Sequence, residues 1–318
     1  MAVLYVVVPC YNEQEVLPET NRRLTEKLAS MIQNGVCDEQ SRILYVDDGS
    51  TDSTFGLIEQ YHNESPLVCG IRLAHNRGHQ AALLAGLMTA KGMCDCAASM
   101  DADLQDDINV LDGFMQKYYD GCHVVYGVRS KRDTDTGFKR ITAQGYYKVL
   151  KLLGVQVVYN HADCRLLSRR ALEELSHYRE SNLFLRGIVP HMGFRQDVVY
   201  FERAERFAGT SKYPLKKMLG LAWDGVTSFS VKPLKMITAF GVLTTAVTLL
   251  TLLVMAVVCL CGGNVNGLWA AVTSVWLLGG ILLTALGVVG SYVGKMYEEV
   301  KGRPRFSVET ALLDRPKS

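Results

Sequence analysis

Two long stretches without a charge constrain this chain more than anything else in it. Ile237 to Cys261 carries no charged residue and Leu268 to Val293 carries none; each exceeds the roughly 20 residues that cross about 30 Å of hydrocarbon. Buried core helices of such length seldom lack every charge, so two membrane-spanning helices are expected, at about 237–261 and 268–293. The turn between them, Gly262 to Gly267, is uncharged as well. Lys232 and Lys235 precede the pair, and Lys295, Lys301, Arg303 and Arg305 follow it. Excess Lys and Arg mark cytoplasmic flanks, which predicts a two-span protein of the cell membrane with both chain ends in the cytoplasm and the turn outside. With no charged residue in either stretch, a transport path is not expected.

The rest of the chain is a polar body. Of 318 residues, 48% are hydrophobic and 21% charged, enough to bury a core and too apolar for a disordered chain. The mean hydropathy of +0.09 therefore averages two unlike parts. A net charge of +2, from 34 basic and 32 acidic residues, lacks the basic excess of a nucleic-acid binder, and no nucleic-acid partner is expected. Val3 to Val8 is short, has no basic lead and runs into Pro9, so it reads as a strand and not a signal peptide. Nine cysteines are scattered without a C-x-x-C pair, as suits a reducing compartment; Cys94 and Cys96 lack histidines at zinc-finger spacing.

Apolar β-rich runs at Leu4–Val8, Ile43–Val46, Val68–Leu73, Cys96–Met100 and Val124–Val128 alternate with helical patterns at Glu15–Ile32, Thr54–Tyr61, Gln80–Lys91 and Ile108–Tyr119. That alternation predicts βαβ units and a mostly parallel sheet, in which ligands bind beyond the carboxyl ends of the strands. Those ends are acidic: Pro9-Cys10-Tyr11-Asn12-Glu13 after the first strand, Asp47-Asp48-Gly49-Ser50-Thr51-Asp52 after the second, Asp101-Ala102-Asp103-Leu104-Gln105-Asp106 after the fourth. Neither G-x-G-x-x-G nor a P-loop is present. Carboxylates repel a diphosphate unless a cation stands between, so Mg2+ or Mn2+ is the expected cofactor, with Asp101, Asp103 and Gln105 as its ligands. On an extended segment Asp101 and Asp103 point the same way.

These motifs resemble the family 2 glycosyltransferases of GT-A fold: V-x-P-x-Y-N-E at Val7–Glu13, D-D-G-S-x-D at Asp47–Asp52, N-x-G at Asn76–Gly78 and D-A-D-L-Q-D at Asp101–Asp106. Within that family the chain looks like the polyprenyl-phosphate glycosyltransferases, the bactoprenol glucosyltransferases and their dolichol-phosphate mannosyltransferase relatives. Leu183–Gly187, Arg206–Tyr213, the two-helix hairpin and the tail Tyr292–Phe306 carry that further likeness. The resemblance implies an α/β GT-A domain over 1–205, a juxtamembrane segment with amphipathic helices at 206–235, two transmembrane helices within 236–294 and a cytoplasmic tail at 295–318. It implies inverting transfer of a hexose, foremost glucose from UDP-glucose, to undecaprenyl phosphate. UDP-GlcNAc, GDP-mannose or a UDP-aminoarabinose derivative are alternative donors, and a non-catalytic membrane scaffold is the competitor from another class. A processive polysaccharide synthase is not expected, since Q-x-x-R-W is missing and one hairpin is too little to line a polymer channel.

Tyr11 reads as a ring over a nucleobase or as a core aromatic; Glu13 and Asp48 are acceptors for ribose or base donors. The resemblance adds Pro9, Val46, Asp101, Ala102, Arg206 and Lys212 to the nucleotide-sugar contacts. Asp47 is the weaker of its pair, with capping of its own turn as an alternative. Asp52 is expected to cap the next helix, Asn76 and Gly78 to shape a loop, and His79 to be incidental. Asp163 and Arg165 match a family D-x-R, which implies an Asp near the reacting sugar and an Arg near the acceptor phosphate. Arg129, Arg165 and Ser168 are the expected acceptor-phosphate contacts. A phosphate monoester, with its second pKa near ~6, arrives largely dianionic, so Asp163 remains open as a base, an orienter of Arg165 or a stabiliser of an oxocarbenium-like sugar. Tyr213–Phe229 reads either as an interfacial helix or as a plain packed one. Gly290 and Gly294 have the spacing of close helix contact, which allows a homo-oligomer.

Overall fold

Strand β1 (Leu4–Cys10) is buried along its whole length, as a strand must be when helices cover both faces of its sheet. The computed structural model describes residues 1–129, 161–178, 185–201 and 267–313, with single positions at 250, 253, 254, 257 and 260. The juxtamembrane segment 206–235, with Arg206 and Lys212, and nearly all of the first apolar stretch lie outside the described residues.

Around β1 stand β2 (Arg42–Asp47), β3 (Val68–Leu73), β4 (Cys96–Ser99), β5 (Val124–Arg129), β6 (His161–Ser168), β7 (Gln196–Phe201) and β8 (Val308–Leu312). They form one sheet in the order β7-β5-β6-β4-β1-β2-β3-β8. The β1–β2, β2–β3, β1–β4 and β5–β7 pairs are parallel; β6 and β8 run against their neighbours. This is the mostly parallel α/β sheet of the GT-A expectation, and its five predicted strands all form. The chain steps outward from β1 through β2 to β3, then returns to lay β4 on the other side of β1. Such a reversal opens a crevice at the carboxyl ends of β1 and β4.

Helices α1 (Leu17–Gln33), α2 (Thr54–Glu64) and α4 (Val110–Tyr119) pack on one face of the sheet; α3 (His79–Ala90), α5 (Arg169–His177) and α6 (Leu185–His191) pack on the other. Alternation decides which side chains meet which layer: Leu4, Val6 and Val8 join the first core, Tyr5 and Val7 the second. In α1 the buried positions Leu17, Thr20, Leu24, Leu28 and Met31 fall on one stripe, and the opposite face carries Glu19 paired with Arg22 and Arg23. Each fully buried leucine there contributes about 1.5–3 kcal/mol. α3 is apolar nearly all round and approaches the sheet closely at Gly86, where a Cβ would collide with Val7 and Val46.

Helix α7 (Gly267–Lys301) contains the second apolar stretch, and Val275, Leu282 and Leu286 on it are each 68% exposed. Among the described residues no helix is long and apolar enough to be assigned as crossing a membrane, so the hairpin is not a feature the structure establishes. The segment expected as a cytoplasmic tail, 295–318, contains the end of this helix and a further strand. α7 continues to Lys301, and after Gly302, at φ 56°, the chain enters β8 on the outer edge of β3. Arg305 Nη1 donates to the Tyr178 carbonyl at 2.8 Å, and Phe306 packs on the α3-side core.

Candidate active site

The β1–β2 register sets Cys10 against Asp47, so the two acidic tips begin side by side. Asp48 N donates to the Cys10 carbonyl at 2.9 Å. Asn12, in left-handed backbone at φ 52°, donates its N–H to Ser50 Oγ, and its Oδ1 accepts from Thr51 N, both at 2.9 Å. Glu13 N donates to Thr54 Oγ1 at 2.9 Å. These bonds splice the Tyr11–Glu13 segment to the Asp47–Thr54 turn. Tyr11 stays 38% exposed beside them and Glu13 half-buried, so the core-aromatic alternative for Tyr11 falls away. Gly49 has no substitute here: its φ is 67°, and a Cβ would stand 2.8 Å from Asn76 N and the His75 carbonyl carbon.

Most carboxylates of that turn are already engaged by backbone. Asp47, 0% exposed, accepts from Ser50 N at 3.3 and 3.2 Å, the capping alternative. Asp48, 2% exposed, accepts from Arg77 N at 2.7 Å and Gly78 N at 2.8 Å. It latches the N-terminus of α3, which is a different task from the ribose contact expected of it. Burial pushes both carboxyls above their usual range, with the hydrogen bonds from Ser50, Arg77 and Gly78 pulling the other way. Asp52 Oδ1 accepts from Thr54 N at 3.0 Å and Oδ2 from Gln14 N at 3.3 Å, although Ser53 is the capping position of α2. Partial burial works against its ionisation, and these hydrogen bonds outweigh it, leaving its pKa lowered.

The Asp101–Asp106 segment behaves otherwise. It is a turn and not the extended run expected, with Leu104 at φ 56°, a conformation that costs a leucine about 1–3 kcal/mol. Burial of the Leu104 and Ala102 side chains offsets that cost, and Thr20 Oγ1 of α1 donates to the Ala102 carbonyl at 2.7 Å. Asp103 Oδ1 accepts from Gln105 N at 3.2 Å. The side chains of Asp101, Asp103 and Gln105 all remain partly exposed. His79 Nε2, from the first residue of α3, stands 3.1 Å from Asp101 Oδ1. This contact was missed in the sequence; the available signal was a His directly after N-x-G at a strand's carboxyl end.

Other expected contacts need correction. The side chains of Val46 beneath α3, of Pro9 in β1 and of Ala102 in the α1-side core are buried, so the contacts expected of these three fall to their backbone. Ser168 is at the wrong end. β6 runs antiparallel to β4, so the Ser99–Arg165 pair lies near the carboxyl edge while Ser168 pairs with Cys96 at the amino end of β4. There its Oγ accepts from Ala171 N at 3.2 Å and caps α5.

Arg165 is 1% exposed, registered against Ser99 and Tyr126. Its Nη1 donates to the Leu185 carbonyl at 3.3 Å, and Leu185 N donates to Gln80 Oε1 at 3.2 Å. Arg165 and Gln80 thus hold Leu185 by its carbonyl and its N–H at the start of α6, which makes Arg165 a positioning residue here and not an open phosphate contact. Burial lifts the Tyr126 hydroxyl to about 12 against the pull of Arg165. Asp163 sits two residues beyond Arg165 on β6, toward the Asp101 end, and Arg129 ends β5 at that edge.

Among the described residues no three His, Cys, Asp or Glu side chains converge on a metal position. A magnesium-type ion needs less, since one or two carboxylates with substrate phosphate oxygens and water complete its shell. Asp101, Asp103 and the Gln105 oxygen fit that requirement.

Residues 5–176 match the model of the glycosyl transferase family 2. The chain is 48% identical over 316 residues to the uncharacterized glycosyltransferase YkoT of Bacillus subtilis, covering 98% of this chain and 93% of that one. It is 36% identical, over 98% and 99% of the two chains, to the SfII prophage-derived bactoprenol glucosyl transferase of Shigella flexneri. Among solved structures, mannosyl-3-phosphoglycerate synthase from Rubrobacter xylanophilus gives a TM-score of 0.47 at 16% identity over 71% of this chain and 72% of that one, a likeness too distant to bear on chemistry. With its sheet, its acidic crevice and full-length relatives in agreement, the chain belongs to glycosyl transferase family 2 and is a glycosyltransferase.

Proposed function

We propose that the protein transfers a hexose with inversion, foremost glucose from UDP-glucose, to polyprenyl phosphate at the cytoplasmic face of a membrane. The observation that carries the reading is the Asp101–Asp103 turn at the β1/β4 reversal: its two carboxylates stay partly exposed at the crevice, whereas Asp47 and Asp48 of the neighbouring turn are buried and hold backbone N–H groups. The full-length likeness to a bactoprenol glucosyl transferase supports the lipid acceptor.

In this reading Tyr11 stacks on the nucleobase and Glu13 takes a ribose hydroxyl. Asp101, Asp103 and Gln105 hold Mg2+ or Mn2+, which neutralises charge on the departing diphosphate. The acceptor phosphate oxygen forms a bond to the anomeric carbon as the bond to the diphosphate oxygen breaks on the opposite face. A dianionic acceptor needs no proton removed, so Asp163 orients or stabilises more than it abstracts. Arg129 attracts that phosphate at the same edge, and Arg206 and Lys212 serve the diphosphate.

The two apolar stretches anchor the body as a helical hairpin. β8 supports this: its place beside β3 requires the chain before and after the stretches to share one side, hence an even number of crossings. The test incubates purified protein with undecaprenyl phosphate, Mg2+ and a panel of UDP-glucose, UDP-GlcNAc, GDP-mannose and a UDP-aminoarabinose derivative. A lipid product of glucosyl mass is expected; folded protein giving no product across the panel overturns the reading.

A further inference from the structure

Where β8 pairs with β3, the register slips. Arg72 faces Thr310 but Leu73 faces Val308, so Glu309 is the extra residue of a bulge. Bulges re-aim side chains, and Glu309 Oε2 lies 3.7 Å from Arg72 Nε. The same Nε lies 3.5 Å from Asp47 Oδ2, across the β2–β3 register that pairs Asp47 with Arg72. The Arg72 guanidinium also rests over the Phe55 ring, 5.1 Å from its centroid, which limits where it can swing.

From Arg72 the connections run inward. Asp47 is fully buried and accepts from Ser50 N; Ser50 Oγ accepts from Asn12 N; Asn12 lies between Tyr11 and Glu13. A residue near the end of the chain is thereby joined, through one arginine, to the segment that carries the donor contacts. The cation also matters to Asp47 directly, because burial raises its pKa and the Arg72 charge opposes that rise.

We propose that Arg72, paired electrostatically with Asp47 and Glu309, is a positioning residue for the sugar-nucleotide turn, which makes the C-terminal strand a working part of the donor site. This rests on the donor site described under the proposed function. Glu309 is half exposed, so its own effect is modest, and it acts through Arg72.

The test uses full-length protein in one detergent, with UDP titrated calorimetrically and steady-state constants measured for UDP-glucose and undecaprenyl phosphate. R72M is expected to raise the donor KM and the UDP Kd about 10-fold, R72K about 3-fold because an ammonium lacks the planar fork, and E309Q about 2- to 3-fold. The acceptor KM should stay put. The R72M/E309Q double variant should match R72M alone, since Glu309 has nothing left to act on. Unchanged donor constants in folded R72M, or equal rises in donor and acceptor KM, overturn the proposal; if R72M does not fold, R72K and E309Q decide by the same criterion. Failure of the wild-type protein to bind UDP or use any sugar nucleotide instead strikes the functional reading itself.

Discussion

Two turns of this molecule look alike as strings and differ as chemistry. Asp47–Asp52 and Asp101–Asp106 each offer three carboxylates after a parallel strand. In the first, Asp47, Asp48 and Asp52 are all committed to backbone N–H groups, and the two deepest are almost wholly buried. In the second, Asp101 meets a histidine and remains near 30% exposed. The difference teaches that an acidic motif is a candidate ligand site where the fold keeps its carboxylates at the surface of a crevice; buried, the same residues are fasteners.

The comparison can be broken most forcefully at Asp103. D103A should lower metal-dependent turnover at least ~100-fold, the scale of losing a group that stabilises developing charge, while the thermal midpoint stays within a few degrees of wild type. Normal turnover by D103A would sink the metal assignment. D48A tests the other turn: losing the carboxylate that holds Arg77 N and Gly78 N should cost about 1.5–3 kcal/mol of stability by chemical denaturation, the scale of hydrogen bonds to a charged group. A D48A protein as stable as wild type would show that latch to be idle. Next comes H79A, expected to raise the Mg2+ concentration for half-maximal turnover about 5-fold through loss of one hydrogen bond to a charged group, with H79N intermediate; an unchanged or lowered requirement would make His79 a bystander or a competitor.

The smallest effect is one of sign. Asp48 has its folded pKa raised above 3.8 by burial, so its ionisation costs stability, which is greatest below the unfolded pKa and is lost as pH rises through the folded value. Asp52 has its pKa lowered below 3.8, so its contribution is present above the unfolded pKa and is lost as pH falls through the folded value. Denaturation of D48N and D52N between pH 3 and ~6 should therefore show stability differences from wild type that drift in opposite directions. Parallel drifts would mean that the turn titrates as one unit.

What the sequence made legible was local. Apolar runs such as Leu4–Val8 and the stripe of α1 announce themselves, because burial imposes periods of two and of 3.6 residues. The acidic crevice was legible too, since strand ends in α/β sheets are where ligands go. Ser168 was misplaced because nothing near it tells that β6 runs against β4, and that reversal carries it to the far end of the sheet. Asp48 misled because its partners, Arg77 and Gly78, belong to another helix start. β8 was invisible for the same reason: five residues after a long helix have no local signal for pairing with β3.

Between the end of α7 and the start of β8 lies only the link Gly302–Ser307. At ~3.3–3.6 Å per residue it reaches about 20–22 Å at full stretch. With α7 seated in lipid as proposed, the catalytic crevice is on a leash no longer than that, and a tether so short presents the site to the bilayer surface at an effective concentration in the millimolar range. The acceptor then need only diffuse in two dimensions, and the enzyme's search for it is already over when the strand has paired.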